Sequence, residues 1–471
     1  MPAARCLPLF VVLAAPALAQ SWVAGPTVPT AGNVPRALGT AIDTAYGFFL
    51  MGGTPAGLAG DAPVHKLVGS SFVATTPLTG SFLRGGAIVD ELGQILVIGG
   101  VDAVGALGDS YIWTEASGDD GGIEARLNAP DAAFMLAHDD LHRVLSVGGS
   151  VAGNFAVADP NGYVERYDAW SDLWTPLAPM PTPVADGAAC NDGLGHVLVF
   201  GGYDTTGART ANVARFDLAT GVWSDTAIPD MPTARAGHRC ALGNDGRIYV
   251  VGGSSAGGVL ATVDILDPAT GTWVSGPAMS TPREHFGCTV DAGGYLWAIG
   301  GDTTNTSEKL FTPTCPTIVS GPDAGAAITG AIATLSVDVI GSAPLTYQWR
   351  RDGVPLGNGP TGSGSTVAGA DTAVLTFQFV AAADAQHVYD CVVGNACGSV
   401  TSAAVGLALA DPPQLPSAFV VEARHPSGAI SSRMNSIDGG VVVGSAKYPD
   451  PTWTALDHPM QWTVAGGSAA V

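Results

Sequence analysis

The sequence predicts an all-β fold, and three observations carry that expectation. A Gly-Gly pair closing an apolar run recurs six times, at Gly52-Gly53, Gly99-Gly100, Gly148-Gly149, Gly201-Gly202, Gly252-Gly253 and Gly300-Gly301, at intervals of 47, 49, 53, 51 and 48 residues. Each pair follows a short apolar run such as ILVI, VLVF or IYVV. Ser21-Trp22-Val23-Ala24-Gly25-Pro26 matches Thr272-Trp273-Val274-Ser275-Gly276-Pro277 almost position for position. A repeat of this length built from strands is the mark of a six-bladed β-propeller.

Before the ring, residues 1–19 read as a secretory signal: Arg5, an apolar run from Leu7 to Leu18, and Ala17-Leu18-Ala19 as a small-residue cleavage site. That run is too short for a membrane span, and no later segment is long and apolar enough to be one. Residues 20–313 are assigned to the propeller. Strands apolar on both faces suit sheets sandwiched between neighbouring sheets. Turns such as Asn244-Asp245-Gly246 supply the positive φ angles of tight hairpins. The paired glycines stand where a side chain would block a neighbouring backbone. The sixth repeat stops at Pro313 without its last strand, so the N-terminal segment is expected to provide it and to close the ring.

Aligning the repeats brings further residues into register. Tyr167-Asp168, Phe216-Asp217 and Leu266-Asp267 each precede a tryptophan, Trp174, Trp223 and Trp273, by the same spacing. Met180-Pro181-Thr182, Met231-Pro232-Thr233 and Met279-Ser280-Thr281 stand upstream of the later pairs. This pattern resembles the kelch repeat of the galactose oxidase-like propeller. The resemblance implies four-stranded antiparallel blades, with the tryptophan of the outer strand wedged between sheets. The early repeats are degraded: Phe72 stands near the first tryptophan slot, and Trp113 is out of register in the second.

Residues 314–410 carry a different signature. Tyr347-Gln348-Trp349 is followed by Asp384 and by Tyr389-Asp390-Cys391, which resembles a bacterial immunoglobulin-like sandwich. Leu335 and Val337 stand where the family places its first cysteine, so the usual inter-sheet disulfide is missing. Cys391 with Cys397 is the nearest available pairing, and Cys315 is a rival partner. Residues 411–418, with Pro412-Pro413 and Pro416, read as a stiff linker. Residues 419–471 resemble one copy of a short extracellular β-repeat. A single copy cannot bury its own apolar face, so the chain is either part of a longer product or docks this tail elsewhere.

Formal net charge is −22, with only 13% of residues charged. The surface is poor in cations, which argues against nucleic acid and anionic lipid as partners. Cys190, Cys240 and Cys288 occupy matching places on successive first strands and read as small buried apolar groups. Gly253-Ser254-Ser255-Ala256-Gly257 fits the nucleophile-elbow pattern, but no helix follows it. His138 and His142 flank a hairpin turn and are expected to be exposed rather than metal ligands. No catalytic residue, metal site or cofactor is assigned. A copper-radical oxidase would need ligands that cannot be assembled here, and the boxes of a sialidase are missing. A sialic-acid mutarotase of kelch type stays open.

One constellation points to a ligand. The start of each first strand carries Arg36, Arg84, Asp131, Asp186, Arg235 or Arg283, and His238 and His285 follow two of the arginines. On one reading, kelch arginines bond the neighbouring blade. On the other, Arg36, Arg84, Arg235, Arg283, His238 and His285 share a face with the loops after the glycine pairs, including 102–109, 203–210 and 254–259, and bind carboxylate or sulfate. The expected role is non-enzymatic binding of an extracellular protein or glycan by a secreted monomer, with an acidic glycan or carboxylate-bearing peptide as the favoured ligand. The alternatives are a sugar-processing enzyme and a structural spacer.

Overall fold

A computed structural model of the chain describes residues 21–29, 40–44, 47–51, 63–78, 85–99, 108–119, 125–128, 132–150, 156–302, 304–323, 326–410, 431–438, 441–447 and 458–463. The expected signal segment, Arg36, Arg84, Asp131 and the Gly52-Gly53 pair lie outside the described residues.

Six four-stranded antiparallel sheets form the blades. Their first strands are Thr40–Thr44, Gly86–Val89, Met135–His138, Ala188–Asn191, Arg239–Leu242 and Gly287–Val290. Each adjoins the first strand of the next blade, and the sixth adjoins the first, so the ring is closed. The second strands Ile95–Ile98, Val144–Val147 and Ile248–Val251 are buried along their whole length. Apolar runs without alternation are what this position selects, because a neighbouring sheet covers each face.

The N-terminal segment completes blade six. Val23–Ala24 pairs antiparallel with Ser307–Phe311, with Val23 opposite Lys309 and Ala24 opposite Glu308. Two further amides extend the seam, Gly25 to Ser307 O and Val28 to Asn305 O, both at 2.8 Å. Three tryptophans follow one rule, whereas Trp174 Nε1 donates to Ser110 Oγ at 3.5 Å. Trp223 Nε1 donates to Ala178 O, Trp273 Nε1 to Pro229 O and Trp22 Nε1 to Pro277 O, at 2.8, 3.0 and 2.8 Å. Each acceptor lies two residues before a buried methionine, Met180, Met231 or Met279, in the link from the preceding blade. The N-terminal tryptophan therefore occupies the slot that the later repeats fill from within.

The glycine pairs are required by backbone geometry. Gly201 and Gly202 have φ of 49° and 102°, and Gly252 and Gly253 have 60° and 85°. A Cβ on Gly201 would meet Arg235 O at 2.7 Å, and one on Gly252 would meet Arg283 O at 2.6 Å. No other residue type fits both the conformation and the approach. In the degraded blades, Phe72 is buried on the outer strand Ser71–Ala74. Trp113 is buried on the third strand Ser110–Thr114 and meets Phe49 edge-on at 5.2 Å, which explains its register.

In the second region, Ala333–Ser336, Val374–Gln378, Thr366–Ala368 and Gly359–Pro360 form one sheet. Thr346–Arg351, Val388–Gly394 and Ser399–Thr401 belong to another. Trp349 is fully buried and donates to Thr372 O at 2.9 Å. Tyr389 donates through its hydroxyl to Asp384 O at 3.1 Å, which locks the corner where the short 3-10 helix Ala382–Gln386 enters the strand.

The expected Cys391–Cys397 pairing is not formed. Cys397 is bonded to Cys315, with Cα atoms 5.1 Å apart, and Cys391 is a buried free thiol. Cys391 alternates inward with Tyr389 and Val393 on its strand, so its thiol points into the apolar interior, whereas Cys397 lies past the end of that strand. Beyond residue 410, Ser431–Asp438, Val441–Lys447 and His458–Thr463 form a three-stranded antiparallel sheet.

Candidate functional site

In blades three, four and five the connection into the first strand and the loop after the second strand share one face of the ring. Isolated bridges join Ala132 to Ser150, Ala185 to Tyr203 and Ala236 to Ser254, tying those two segments together in blades three, four and five. The proposed loops 203–210 and 254–259 therefore adjoin the strand entries, whereas 102–107 lie outside the described residues.

Arg235 and Arg283 do not face that surface. Both are 0% exposed. Arg235 donates to Gly252 O at 3.1 Å and pairs with the Asp264 carboxylate. Arg283 donates to Gly300 O at 2.7 Å, to Thr306 O at 2.9 Å and to Glu308 Oε1 at 2.6 Å. Each guanidinium thus clamps the end of the second strand to the third strand of its own blade. Its backbone carbonyl receives the amide of the preceding blade's glycine pair: Gly202 N to Arg235 O at 2.8 Å, and Gly253 N to Arg283 O at 2.9 Å. Burial pulls both guanidinium pKa values down, and the Asp264 and Glu308 carboxylates oppose it. Burial would push Glu308 up, but the Ser280 amide and Arg283 hold it below the ordinary carboxylate value. Arg283 Nε has no partner among the described residues, but both side chains are fully buried and turned onto their own blades, which closes them to a ligand.

His238 is also fully buried, and neither ring nitrogen has a hydrogen-bond partner among the described residues. Burial, reinforced by Arg235 and Arg239, depresses its pKa to about 3, so the ring stays neutral. His285 behaves in the opposite way. Its Nδ1 lies 2.9 Å from Asp302 Oδ2 and its Nε2 lies 2.7 Å from Asp186 Oδ2. Burial disfavours the imidazolium, but the Asp186 and Asp302 carboxylates outweigh it and raise the pKa to about 9.

His138 departs from the expected exposed state. It is partly buried, with Nε2 2.5 Å from Val89 O of blade two, and burial lowers its pKa. Its ring and that of His142 meet edge-on at 5.9 Å. Among the described residues no group of three or more His, Cys, Asp or Glu side chains is arranged to hold a metal ion. Cys190, Cys240 and Cys288 are partly buried free thiols on the inner wall of the ring.

Two arginines that the repeat alignment passed over are placed differently. The Arg209 guanidinium stacks 5.0 Å from the Tyr203 ring centroid, and its Nη2 donates to Ser254 Oγ at 3.2 Å. Its Nε is buried without a partner, and no carboxylate pairs with it among the described residues. Arg209 belongs to the loop 203–210 singled out from the sequence, which is the signal that could have found it. Asp204 in the same loop is engaged by its own turn, accepting from Thr206 N, Thr206 Oγ1 and Ala208 N. Arg239 lines the central cavity and donates to His238 O at 2.9 Å.

Comparison with known proteins agrees with this architecture. Residues 140–313 match the KLHDC2/KLHL20/DRC7 Kelch-repeats domain and residues 316–405 match the Immunoglobulin I-set domain. Kelch-like protein 35 of Mus musculus is 30% identical over 36% of this chain and 29% of its own length. Alpha-scruin of Limulus polyphemus is 31% identical over 31% of this chain and 16% of its own length. The chain thus spans less than a third of the length of these relatives. A galactose oxidase of Gibberella zeae is 33% identical over 18% of this chain and 12% of its own length. A solved fungal alcohol oxidase of the AA5 family, in complex with copper, covers 82% of this chain and 98% of its own at 16% identity and a TM-score of 0.45. The chain therefore carries a kelch-repeat domain, a galactose oxidase-like propeller, followed by an immunoglobulin I-set domain.

Proposed function

We propose that this protein is a secreted, non-enzymatic binder that engages an extracellular protein or acidic glycan through the loop face of its propeller. Binding is the function typical of kelch repeats, and the observation that carries this reading is the Arg209–Tyr203–Ser254 cluster. It joins the loops of blades four and five and holds there a half-buried guanidinium that stacks on Tyr203, bonds Ser254 and is paired with no carboxylate among the described residues. Arginine and tyrosine are the residue types that dominate binding hot spots, because each combines apolar area with a directed donor. A carboxylate or sulfate meeting Arg209 would form a charge-assisted bond worth about 1.5 to 3 kcal/mol. The buried clamps Arg235 and Arg283 hold the loops in place and take no part in the contact. The signal-like N-terminus supports secretion.

The test is an array of sialylated, sulfated and neutral glycans with acidic peptides, run beside a turnover assay on a sugar panel. Capture of acidic members without turnover is the expected result. Oxidation or mutarotation of any sugar would replace this reading by an enzymatic one.

A further inference from the structure

A cavity of about 800 Å³ occupies the centre of the propeller, within the range of small-molecule sites. Its lining runs from Ala133 and Asp186 at the strand entries to Asp43, Asp140 and His142 at the first hairpin turns. Between those ends the wall is largely apolar, with Ala87, Val89, Leu136, Ala189, Ala241 and Val290 among its members. One guanidinium interrupts it. Arg239 begins the first strand of blade five, makes its single side-chain bond to His238 O, and is paired with no carboxylate among the described residues.

The neighbouring groups leave that charge uncompensated. Burial pushes the Cys288 thiol up to about 12 and the Cys240 thiol well up, more than Arg239 can offset, so neither supplies a thiolate at neutral pH. Asp186 is committed to His285, Asp139 to Arg143 at 2.7 Å, and Asp140 accepts from Asn191 Nδ2 at 2.9 Å. Asp43 accepts the Ala292 amide at 2.7 Å. These acids sit at the two ends of the lining and disfavour a ligand with several negative charges. A half-buried cation in an apolar chamber is a site for one charge on an apolar body.

We propose that the central cavity binds a small organic monocarboxylate, with its carboxylate on Arg239 and its apolar body along the inner strands. This site is separate from the loop-face cluster, and each can fail without the other.

Octanoate is the probe, with 1-octanol as its uncharged counterpart, and binding is read by titration calorimetry on the whole chain. Octanoate should bind at least about tenfold more tightly than 1-octanol, the difference expected of one charge-assisted pair. Arg239→Met should remove that preference and Arg239→Lys should restore part of it, while Arg209→Ala leaves it intact. Equal binding of octanoate and 1-octanol by the unaltered chain, no octanoate binding, or undiminished octanoate binding by a folded Arg239→Met variant would each overturn the proposal. The first comparison needs no substitution, so it stands even if Arg239→Met does not fold.

Discussion

His285 Nε2 stands 2.7 Å from Asp186 Oδ2, although the two residues belong to blades six and four. Blade five lies between them and contributes Gly237. The backbone at this level forms an arc through blades three to six: Asp186 N donates to Ala133 O, Gly237 N to Asp186 O and His285 N to Gly237 O, at 2.8, 2.8 and 2.9 Å. All four residues have positive φ, from 50° to 65°. Because the middle residue has no side chain, the imidazole of His285 can lie across it and reach the carboxylate beyond.

Gly237→Ala tests that arrangement. A Cβ there would meet His285 Nε2 at 2.9 Å, and alanine would also be strained at φ 65°. The variant should lose roughly 2 to 4 kcal/mol in chemical denaturation. The His285 pKa, followed by NMR, should fall from about 9 toward an ordinary histidine value.

The two histidines predict opposite limbs of a pH–stability curve. The folded-state pKa of His285 is raised, so its stabilisation is full below about 6.5 and is lost as pH rises through about 9. That of His238 is lowered to about 3, so the unfolded chain takes up a proton there first, and stability falls as pH drops from about 6.5. Thermal melts across pH should therefore peak near pH 6.5 in these contributions. His285→Asn should flatten the basic limb and leave the acidic limb in place.

Trp22 should matter to the ring as much as an internal tryptophan. It is half-buried and donates to Pro277 O, so Trp22→Ala should cost roughly 2 to 3 kcal/mol. Removing residues 20–29 should cost more, because it strips the partner strand from Ser307–Phe311 and exposes an unpaired edge. A thermal midpoint unmoved by the deletion would contradict the closure.

Cys288 and Cys240 should react slowly with iodoacetamide at neutral pH, because their thiols are pushed up chiefly by burial. Rates followed by mass spectrometry should climb only in strongly alkaline solution. Rapid labelling at pH 7 would mean that the inner wall is more hydrated than these environments imply.

Much of the propeller was legible because its constraints are local and repeated. Gly201-Gly202 and Trp273 each answer to a fixed backbone slot, and the tryptophan slot recurs in blades four, five and six. The Ser21–Pro26 segment could be placed at the ring's far end for that reason. The site was less legible. Arg235 and Arg283 advertise charge, yet their partners Asp264 and Glu308 lie 29 and 25 residues downstream, on a neighbouring strand whose register the repeat does not announce. Arg209 carries no repeat signature at all. Proximity in sequence favoured Cys391 over its rival Cys315 as the partner of Cys397, whereas strand alternation turns Cys391 inward and Cys315 forms the bond.

The most direct test separates the clamps from the contact surface. Arg209→Ala and Arg283→Met should be compared for thermal midpoint and for affinity toward an acidic member captured on the array. Arg209→Ala should weaken binding by about tenfold or more with its midpoint nearly unchanged. Arg283→Met leaves Glu308 buried without its partner and should cost roughly 3 to 5 kcal/mol of stability, with affinity preserved in the folded fraction. Lost affinity in a stable, folded Arg283→Met, with Arg209→Ala binding normally, would contradict the account and return the ligand to the arginine ring.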